Sequence, residues 1–148
     1  MKKVLVLHGV NLNMFGKRDP AQYGTITLDE INQQLQALAK ELGVALETFQ
    51  TNFEGAMCEK IHQAHLDKVD AVVINAGAWT HYSIALRDAL AILKVPIVEC
   101  HMSNIHAREE FRHVSHVSPL AKGIVAGFGV HSYLLGLRAA VTAIQDKG

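Results

Sequence analysis

The sequence predicts an α/β fold in which a five-stranded parallel sheet is covered by helices on both faces. Five short apolar runs rich in β-branched residues recur along the chain, and segments with the 3.6-residue periodicity of amphipathic helices separate them. The runs are apolar at nearly every position, which is typical of strands buried on both faces of a sheet. A chain that alternates strands and helices in this way favours a doubly wound domain.

The predicted strands coincide with the apolar runs, which are VLVL (4–7), VALETF (44–49), AVVI (71–74), PIVEC (96–100) and GIVAGF (123–128). Five strands in one small domain favour the flavodoxin-like arrangement, with the strand order 2-1-3-4-5. A length of 148 residues and a hydrophobic content of 49% suit one core, so we predict a single domain over residues 1–148.

The first predicted helix has the clearest signals. Its apolar side chains fall on one face at helical spacing, and they are Leu28, Ile31, Leu35, Leu38 and Leu42. Thr27 and Glu30 have the S/T-x-x-E spacing of a capping box, which marks the start of a helix. Gly43 follows the last apolar residue and marks its end.

Three further helices are predicted between and after the remaining strands. The second helix runs from about residue 54 to 66, with Asn52 as its cap. The third follows Thr80 or Ser83, and the last follows Ser132. Each of these residues can accept a hydrogen bond from a backbone N–H group in the first turn.

The composition argues against several classes of partner. Fourteen basic side chains balance fourteen acidic ones, with no basic run, so we expect no nucleic-acid partner and no attraction to an anionic membrane. The N-terminal apolar run is too short for a signal peptide, and no later run is long enough to cross a bilayer. The two cysteines, Cys58 and Cys100, suggest no disulfide framework. We therefore expect a cytoplasmic protein with reduced thiols.

The sequence carries no motif for a common cofactor. It has neither the G-x-G-x-x-G of dinucleotide-binding folds nor the G-x-x-x-x-G-K-[ST] of a P-loop. The third strand ends in Asn75, where a phospho-accepting receiver domain needs an aspartate. Nine histidines are present, but no cysteine or carboxylate completes a recognisable ligand set, so we expect no metal.

A candidate site is predicted at the carboxyl ends of the strands, where ligands bind in doubly wound sheets. Eighteen residues (9–26) separate the first strand from the first helix, whereas such connections are usually about 2–6 residues long. Strands one, three and four are neighbours in the expected order, and the polar residues that follow them are Asn11, Asn13, Arg18, Tyr23, Asn75, His81, Asp88, His101, Ser103, Asn104, His106, Arg108 and Arg112. Taken singly, many could instead serve as turn or capping residues.

Glu99 and His101 are harder to explain as structural residues. Glu99 interrupts an apolar strand, where a carboxylate needs a partner. His101 lies two positions on and shares its side of the strand. The pairing would orient the imidazole and favour its protonated form, which prepares a histidine to act as an acid.

Tyr23 is a candidate base only if its phenolate form is stabilised. A guanidinium group close to the hydroxyl in a water-poor site can supply this stabilisation. Arg18, on the same long loop, and Arg112 are the candidates. An acid and a base among many neutral hydrogen-bonding groups suit a small, polyhydroxylated carboxylate as substrate.

Four segments together closely resemble the type II 3-dehydroquinase (3-dehydroquinate dehydratase) family, and they are HGVNLNMFGKRDPAQYG, QTNFEG, INAGAWTHYSIALRDAL and VECHMSNIHAREEFRHVSHVSPLAKGIVAGFG. The resemblance extends from about residue 4 to 138. It implies a flavodoxin-like fold, no cofactor, and the reversible dehydration of 3-dehydroquinate to 3-dehydroshikimate. This reaction is a lyase step of the shikimate pathway of aromatic amino acid biosynthesis, or of quinate catabolism.

The resemblance also implies a mechanism. The long loop closes over the substrate as a lid, and Tyr23 as phenolate removes a proton from C2, with Arg18 stabilising the phenolate. Asn11 positions a water that stabilises the enol or enolate intermediate. His101, oriented by Glu99, protonates the departing C1 hydroxyl, which gives anti elimination without a Schiff base.

The same resemblance assigns substrate-binding residues and an assembly. Asn75, His81 and Arg112 bind the hydroxyl groups of the substrate. The backbone amides of Met102 and Ser103, with the Ser103 hydroxyl, bind its carboxylate. Asp88 matches a residue that reaches the site of a neighbouring subunit, and the family assembles as a dodecamer of four trimers.

The sequence departs from the usual family pattern beside the candidate site. Val10 and Ala76 replace prolines, which removes two restraints on φ next to asparagines. Trp79 and Tyr82 stand where smaller residues are common. These departures leave two alternatives to a dehydroquinase: a lyase acting on a related cyclic hydroxy acid, and a non-catalytic small-molecule-binding or assembly protein.

Overall fold

Five parallel strands form one sheet in the order β2-β1-β3-β4-β5 in a computed structural model. The structure describes residues 1–146, so the predicted domain end at residue 148 lies outside the described residues. The strands are β1 (Lys3–His8), β2 (Ala45–Gln50), β3 (Ala71–Asn75), β4 (Ile97–His101) and β5 (Gly123–Ala126). The strand order and the parallel pairing confirm the predicted flavodoxin-like fold class.

Helices connect successive strands, and the α-helices are α1 (Pro20–Tyr23), α2 (Leu28–Leu42), α3 (Glu54–Leu66), α4 (Ile84–Leu90) and α5 (Val130–Gln145). Short 3₁₀ helices lie in the connections, at Leu12–Met14, Gly77–His81, Ile105–Ala107, Glu110–Arg112 and Ser118–Leu120. Across residues 1–146, none of the helices combines the length and the apolar character that crossing a membrane would require.

The predicted start and end of the first long helix are confirmed in α2. The Thr27 hydroxyl accepts a hydrogen bond of 3.2 Å from the Glu30 backbone N–H, and the Glu30 carboxylate accepts one of 3.3 Å from the Thr27 N–H. This reciprocal pair is the predicted capping box. Gly43 follows the helix at φ 74°, a left-handed conformation that a residue without Cβ adopts at little cost.

The starts of two other helices differ from the sequence prediction. Asn52 does not cap α3, because its side-chain oxygen accepts the backbone N–H of Asn11 at 2.8 Å instead. Helix α5 begins at Val130, two residues before Ser132. The Ser132 hydroxyl accepts from the backbone N–H of Phe128 at 2.9 Å, so it stabilises the approach to the helix from within the first turn.

The predicted strand bounds need one correction. The first four strands lie within one residue of the predicted ranges, but β5 ends at Ala126 rather than at residue 128. The chain turns away at Gly127, whose N–H donates to the His101 carbonyl. For α4, the Ser83 hydroxyl accepts from the Leu86 N–H at 3.0 Å, so Ser83 rather than Thr80 is the cap.

The core lies in two layers, one on each face of the sheet. Alternate residues of β1 point to opposite faces, with Val4 and Val6 in one layer and Leu5 and Leu7 in the other. The first layer packs against α2 and α5, and its helix residues include Ile31, Leu35, Tyr133 and Leu137. The second packs against α3 and α4, and its helix residues include Met57, Ile61, Leu86 and Leu90.

Polar residues occupy the carboxyl ends of the strands. His8 pairs in register with Gln50 of β2 and with Asn75 of β3, and each of the three ends its strand. His101 ends β4 in the same direction. His8, Asn75 and His101 are buried. The polar candidates therefore lie at one edge of the sheet, as the parallel topology requires.

Candidate active site

The long connection after β1 contains a one-turn helix that holds Tyr23. The Asp19 carboxylate accepts from the backbone N–H of Ala21 at 3.0 Å, and Pro20 occupies the first helical position. Both features favour a helix start. The Tyr23 ring packs against buried Phe15, with ring centroids 5.8 Å apart. The sequence DPAQYG therefore anchors the tyrosine ring within the loop.

Two guanidinium groups donate to the hydroxyl of Tyr23. Arg108 Nη1 lies 2.8 Å from the oxygen and Arg18 Nη2 lies 3.2 Å from it. The Arg18 guanidinium carbon also lies 4.2 Å from the centre of the ring. The phenolic oxygen of Tyr23 is therefore the shared acceptor of two positively charged donors. The same Arg108 nitrogen donates to the Ser103 hydroxyl at 3.2 Å, which links the loop to the end of β4.

The sequence-based choice of Arg112 as a second partner of Tyr23 is wrong in this structure. Arg112 Nε donates to Glu109 Oε1 at 2.9 Å, and Arg108 takes the place beside Tyr23. The reason is local, because residues 105–112 form two short 3₁₀ helices rather than one regular helix. Arg108 belonged to the polar residues after strand four, but no spacing rule distinguished it from Arg112.

Glu99 and His101 form the predicted pair. His101 Nε2 lies 2.6 Å from Glu99 Oε2, and both side chains are buried. A carboxylate accepts, so Nε2 carries the proton of this bond, and Nδ1 is the nitrogen able to deliver a proton to a ligand. The pair therefore fixes both the orientation and the polarity of the imidazole.

Two serines complete the surroundings of Glu99. Ser115 donates to Glu99 Oε2 at 2.8 Å, and the Ser118 hydroxyl donates to Oε1. Burial is the largest influence and raises the pKa of Glu99, but the hydrogen bonds and charge of His101, together with the two serines, outweigh it and leave the pKa below its ordinary value. The sequence reasoning missed Ser115 and Ser118, whose three-residue spacing alone has no specific meaning.

His81 lies next to this pair. Its ring stacks on that of His101, with centroids 6.4 Å apart and planes inclined by 19°. Its Nδ1 donates to the Val114 carbonyl at 2.8 Å, which leaves Nε2 as an acceptor. Partial burial lowers the pKa of His81, the Val114 bond opposes this, and the nearby His101 and Arg112 lower it further. A neutral imidazole here can accept a hydrogen bond from a hydroxyl group.

Asn75 ends β3 with its side chain held at both ends. Its Oδ1 accepts from the Gly77 N–H at 3.1 Å, and its Nδ2 donates to the Tyr133 hydroxyl at 3.0 Å. One N–H and one oxygen lone pair remain for a ligand.

Close backbone contacts at two glycines hold the loops after β1 and β3 together. A Cβ atom on Gly9 would lie 2.3 Å from the Ala76 carbonyl oxygen, and one on Gly77 would lie 2.8 Å from the Val10 carbonyl oxygen. Gly77 also has φ 60°, which favours glycine. The two loops therefore touch backbone to backbone at the positions that lack proline.

Asn11 adopts a left-handed conformation, with φ 69° and ψ −1°. Its backbone N–H donates to Asn52, and Gln50 Nε2 donates both to Asn52 Oδ1 at 3.1 Å and to the Gly9 carbonyl at 3.1 Å. Gln50 and Asn52 come from the QTNFEG segment after β2. They hold the turn that displays the exposed Asn11 side chain, a role that the sequence analysis did not assign.

The remaining predicted residues fall into two groups. Met102 and Ser103 are buried directly after β4, beside a cavity of about 540 Å³ that Tyr23 and Gly24 also line. Asp88 lies apart on α4, where its exposed carboxylate accepts from Arg87 Nη1 at 3.1 Å. Among residues 1–146, no three His, Cys, Asp or Glu side chains are grouped so as to hold a metal ion.

The family model described as Dehydroquinase class II matches residues 2–141. The chain belongs to this family. It is 69% identical over 142 residues to the 3-dehydroquinate dehydratase of Leptothrix cholodnii, covering 96% of this chain and 95% of the relative. It is 68% identical over 145 residues to the 3-dehydroquinate dehydratase of Syntrophotalea carbinolica, covering 98% of each.

Solved structures agree with this assignment. The crystal structure of the type II dehydroquinase from Propionibacterium acnes superposes with a TM-score of 0.92 at 47% identity, covering 96% of this chain and 97% of that one. The type II dehydroquinase from Butyrivibrio crossotus gives a TM-score of 0.91 at 37% identity, covering 94% and 97%. These matches confirm the predicted family and fold, and membership makes the chain an enzyme of the dehydroquinase type.

Within this family member, the candidate residues form neighbouring groups at the carboxyl edge of the sheet. Arg18 and Arg108 both donate to the Tyr23 hydroxyl, and Arg108 also donates to Ser103, so these four residues form the first group. Glu99, His101 and His81 form the second group, with Arg112 acting electrostatically on His81. Asn75 ends β3 directly before one of the two loops that touch through their glycines, and Asn11 lies in the other. Asp88 is the predicted residue that the described chain leaves apart.

Proposed function

We propose that the chain catalyses the reversible dehydration of 3-dehydroquinate to 3-dehydroshikimate, with Tyr23 as base and His101 as acid. The names of relatives at 69% and 68% identity support the reaction. The donation of two guanidinium groups to the Tyr23 hydroxyl is the observation that carries the mechanism. This step belongs to the shikimate pathway, which supplies aromatic amino acid biosynthesis.

The base step breaks the C2–H bond of the substrate. The Tyr23 phenolate takes the proton, and the bonding electrons move toward the C3 ketone to give an enol or enolate. Arg18 and Arg108 lower the cost of keeping the phenolate before the reaction. The loop that holds Tyr23 acts as a lid that closes over the substrate and excludes water.

The acid step breaks the C1–O bond. His101 gives the proton on Nδ1 to the departing hydroxyl, which leaves as water while the enol electrons form the double bond. Glu99 holds Nε2–H and stabilises the imidazolium before transfer. Acid and base on opposite sides of the ring give anti elimination. Proton exchange with solvent afterwards restores the Tyr23 phenolate and the His101 imidazolium.

The substrate is held by residues at the same edge. We assign the hydroxyl groups to Asn75, neutral His81 and Arg112, since each has a hydrogen-bonding atom left after its bonds within the protein.

The backbone amides of Met102 and Ser103, with the Ser103 hydroxyl, bind the carboxylate. Asn11 positions a water beside the developing enolate oxygen.

A Schiff-base route finds no support in the lysines. Lys17 is the lysine on the loop, and it is exposed to solvent, whereas an imine-forming lysine needs a desolvated amine. The alternative of a different cyclic hydroxy acid substrate also lacks a favouring observation. Of the residues that depart from the family pattern, Trp79 is packed in the core and Tyr82 is exposed.

The first test follows the ultraviolet absorbance of the conjugated enone formed from 3-dehydroquinate. We expect turnover by the wild type, loss of turnover in Tyr23→Phe, and no inactivation by borohydride in the presence of substrate. The Lys17→Ala variant, altered in the same loop, is the matched control and should retain activity. Unchanged turnover in Tyr23→Phe, or inactivation by borohydride, would contradict the mechanism.

We further propose a homo-oligomer, a dodecamer of four trimers, in the cytoplasm. Asp88 and Ile84 lie four residues apart on one face of α4 and are both exposed, as is the neighbouring Tyr82. This mixed apolar and acidic patch suits contact with a neighbouring subunit. Analytical ultracentrifugation tests the proposal, and a monomer at the concentration of the activity assay would contradict it.

A further inference from the structure

Four side chains behind the candidate site form a continuous hydrogen-bonded chain. Asn32 Oδ1 lies 2.9 Å from His8 Nε2, and His8 Nδ1 lies 2.9 Å from the Tyr133 hydroxyl. The Tyr133 hydroxyl in turn lies 3.0 Å from Asn75 Nδ2. His8 and Tyr133 are 0% exposed and Asn75 is 4% exposed, so water does not compete for these bonds.

The direction of every bond follows from one backbone group. The Gly77 N–H can only donate, so the atom of Asn75 that faces it must be Oδ1. Nδ2 then faces Tyr133 and donates to its hydroxyl oxygen. The Tyr133 O–H group therefore donates its own hydrogen bond to His8 Nδ1. His8 is therefore the tautomer protonated on Nε2, and that proton goes to Asn32 Oδ1.

The four hydrogen-bonded side chains connect four elements of the fold. His8 and Asn75 are register partners on β1 and β3, Tyr133 lies on α5, and half-buried Asn32 lies on α2. The His8 and Tyr133 rings also touch, with centroids 5.2 Å apart. Packing therefore fixes the position of each of the four side chains. The directions of their hydrogen bonds then determine which side of the Asn75 carboxamide carries the oxygen and which carries the nitrogen.

We propose that His8 and Tyr133 are positioning residues that fix the orientation of the Asn75 carboxamide toward the substrate. The proposal rests on the proposed function, in which Asn75 binds a substrate hydroxyl. A hydroxyl can donate to one atom and accept from another, so it matches the N–H and the lone pair that Asn75 has left. Without the Tyr133 hydroxyl the amide loses its partner at Nδ2 and can turn, which exchanges donor for acceptor.

The kinetic test compares Tyr133→Phe with Val141→Ala, a truncation at another buried position of α5. We expect Tyr133→Phe to raise KM for 3-dehydroquinate about tenfold with kcat within about twofold, because uniform substrate binding is lost. Val141→Ala should lower the melting temperature and leave KM unchanged. Equal KM in both variants, or a loss confined to kcat in Tyr133→Phe, would overturn the proposal.

A double-mutant comparison distinguishes the positioning role of Tyr133 from the substrate-binding role of Asn75. If Tyr133 acts through Asn75, adding Tyr133→Phe to Asn75→Ala should cause no further rise in KM. An additive rise would overturn the positioning role alone. An unchanged KM in Asn75→Ala would overturn the substrate-binding role of Asn75 and the positioning role with it, while leaving dehydration by the wild type intact.

Nitrogen-15 NMR of the histidine rings gives a readout without turnover. We expect His8 to be the neutral Nε2–H tautomer in the wild type at neutral pH. Asn32→Ala removes the acceptor of that proton at the half-buried end of the hydrogen-bonded series, and we expect a mixture of tautomers in this variant. Asn32→Ala should fold even if Tyr133→Phe does not. Asn32→Ala should also raise KM in the same direction. A His8 ring protonated on Nδ1 in the wild type would overturn the proposal.

Discussion

Arg108 donates a hydrogen bond of 2.8 Å to the hydroxyl of Tyr23, across 85 residues of sequence. The same guanidinium nitrogen contacts Ser103, where the substrate carboxylate is proposed to bind. One side chain therefore joins the proposed base to a residue that is proposed to hold the substrate.

Replacing Arg108 by lysine tests this link. A single ammonium group lacks the planar fork of guanidinium, so we expect it not to serve Tyr23 and Ser103 together. The expected result is a fall in kcat of about 10- to 100-fold, measured by the enone absorbance. Arg138→Lys, an exposed position on α5, is the matched control. Activity equal to that of this control would argue against a role for Arg108.

The buried carboxylate of Glu99 should be needed for the acid step. In Glu99→Gln the acceptor of the His101 Nε2–H group loses its charge, which weakens the hydrogen bond that orients the imidazole. We expect kcat to fall about 10²-fold or more, within the range for loss of a general acid.

Ser115→Ala removes one of the bonds to the Glu99 carboxylate and should cause a smaller loss than Glu99→Gln. A larger loss in the serine variant would show that the hydroxyl, rather than the carboxylate, governs the step.

The folded protein should lose stability in acid through His8. Burial is the largest cause that lowers the pKa of His8 from 6.5 to about 4, against the opposing hydrogen bond to Asn32. Between these values the unfolded chain binds the proton and the folded one does not, so stability rises with pH. The contribution is fully present above pH 6.5 and is lost as the pH falls toward 4, and the stability lost over this range is about 3 kcal/mol.

Urea unfolding of the wild type and of His8→Gln at several pH values checks this dependence. We expect the variant to be less stable at neutral pH but to have a flatter profile between pH 6.5 and 4. His65→Gln, at an exposed position of α3, should keep the slope of the wild type. Identical slopes in wild type and His8→Gln would refute the assignment to His8.

Asn52 should support activity through the backbone of Asn11. Asn52→Ala removes the acceptor of the Asn11 N–H, and a lost hydrogen bond of this kind costs about 1 kcal/mol. We expect lower stability and a lower kcat, with partial rescue by Asn52→Asp, whose carboxylate still accepts. Asn13→Ala, an exposed change in the same loop, should have little effect. A loss as large in Asn13→Ala would point to general disturbance of the loop.

Local signals explain which parts of the fold could be predicted from the sequence. The capping box of Thr27 and Glu30 involves residues three apart, and the Glu99–His101 pair involves residues two apart on one strand. Both are consequences of helix and strand geometry alone. The strand order followed from the alternation of elements, since few topologies accommodate it.

The missed residues depend on contacts that no local pattern encodes. Asn52 does not cap α3 as predicted, because its side chain accepts a hydrogen bond from a residue 41 positions away. Arg108 rather than Arg112 contacts Tyr23, because residues 105–112 form two short 3₁₀ helices. Ser115 and Ser118 reach Glu99 only after β4 and the following connection have packed together. Their roles arise from tertiary structure and were absent from the sequence pattern.

The contact between the loops after β1 and β3 has a consequence for how this sequence can change over time. The contact joins backbone atoms of residues 9, 10, 76 and 77, so it does not depend on a proline at position 10 or 76. Any residue larger than glycine at position 9 or 77 would collide with a neighbouring carbonyl. Substitutions at Gly9 and Gly77 should therefore be eliminated by selection, because the backbone of each loop limits the shape that the other loop can adopt.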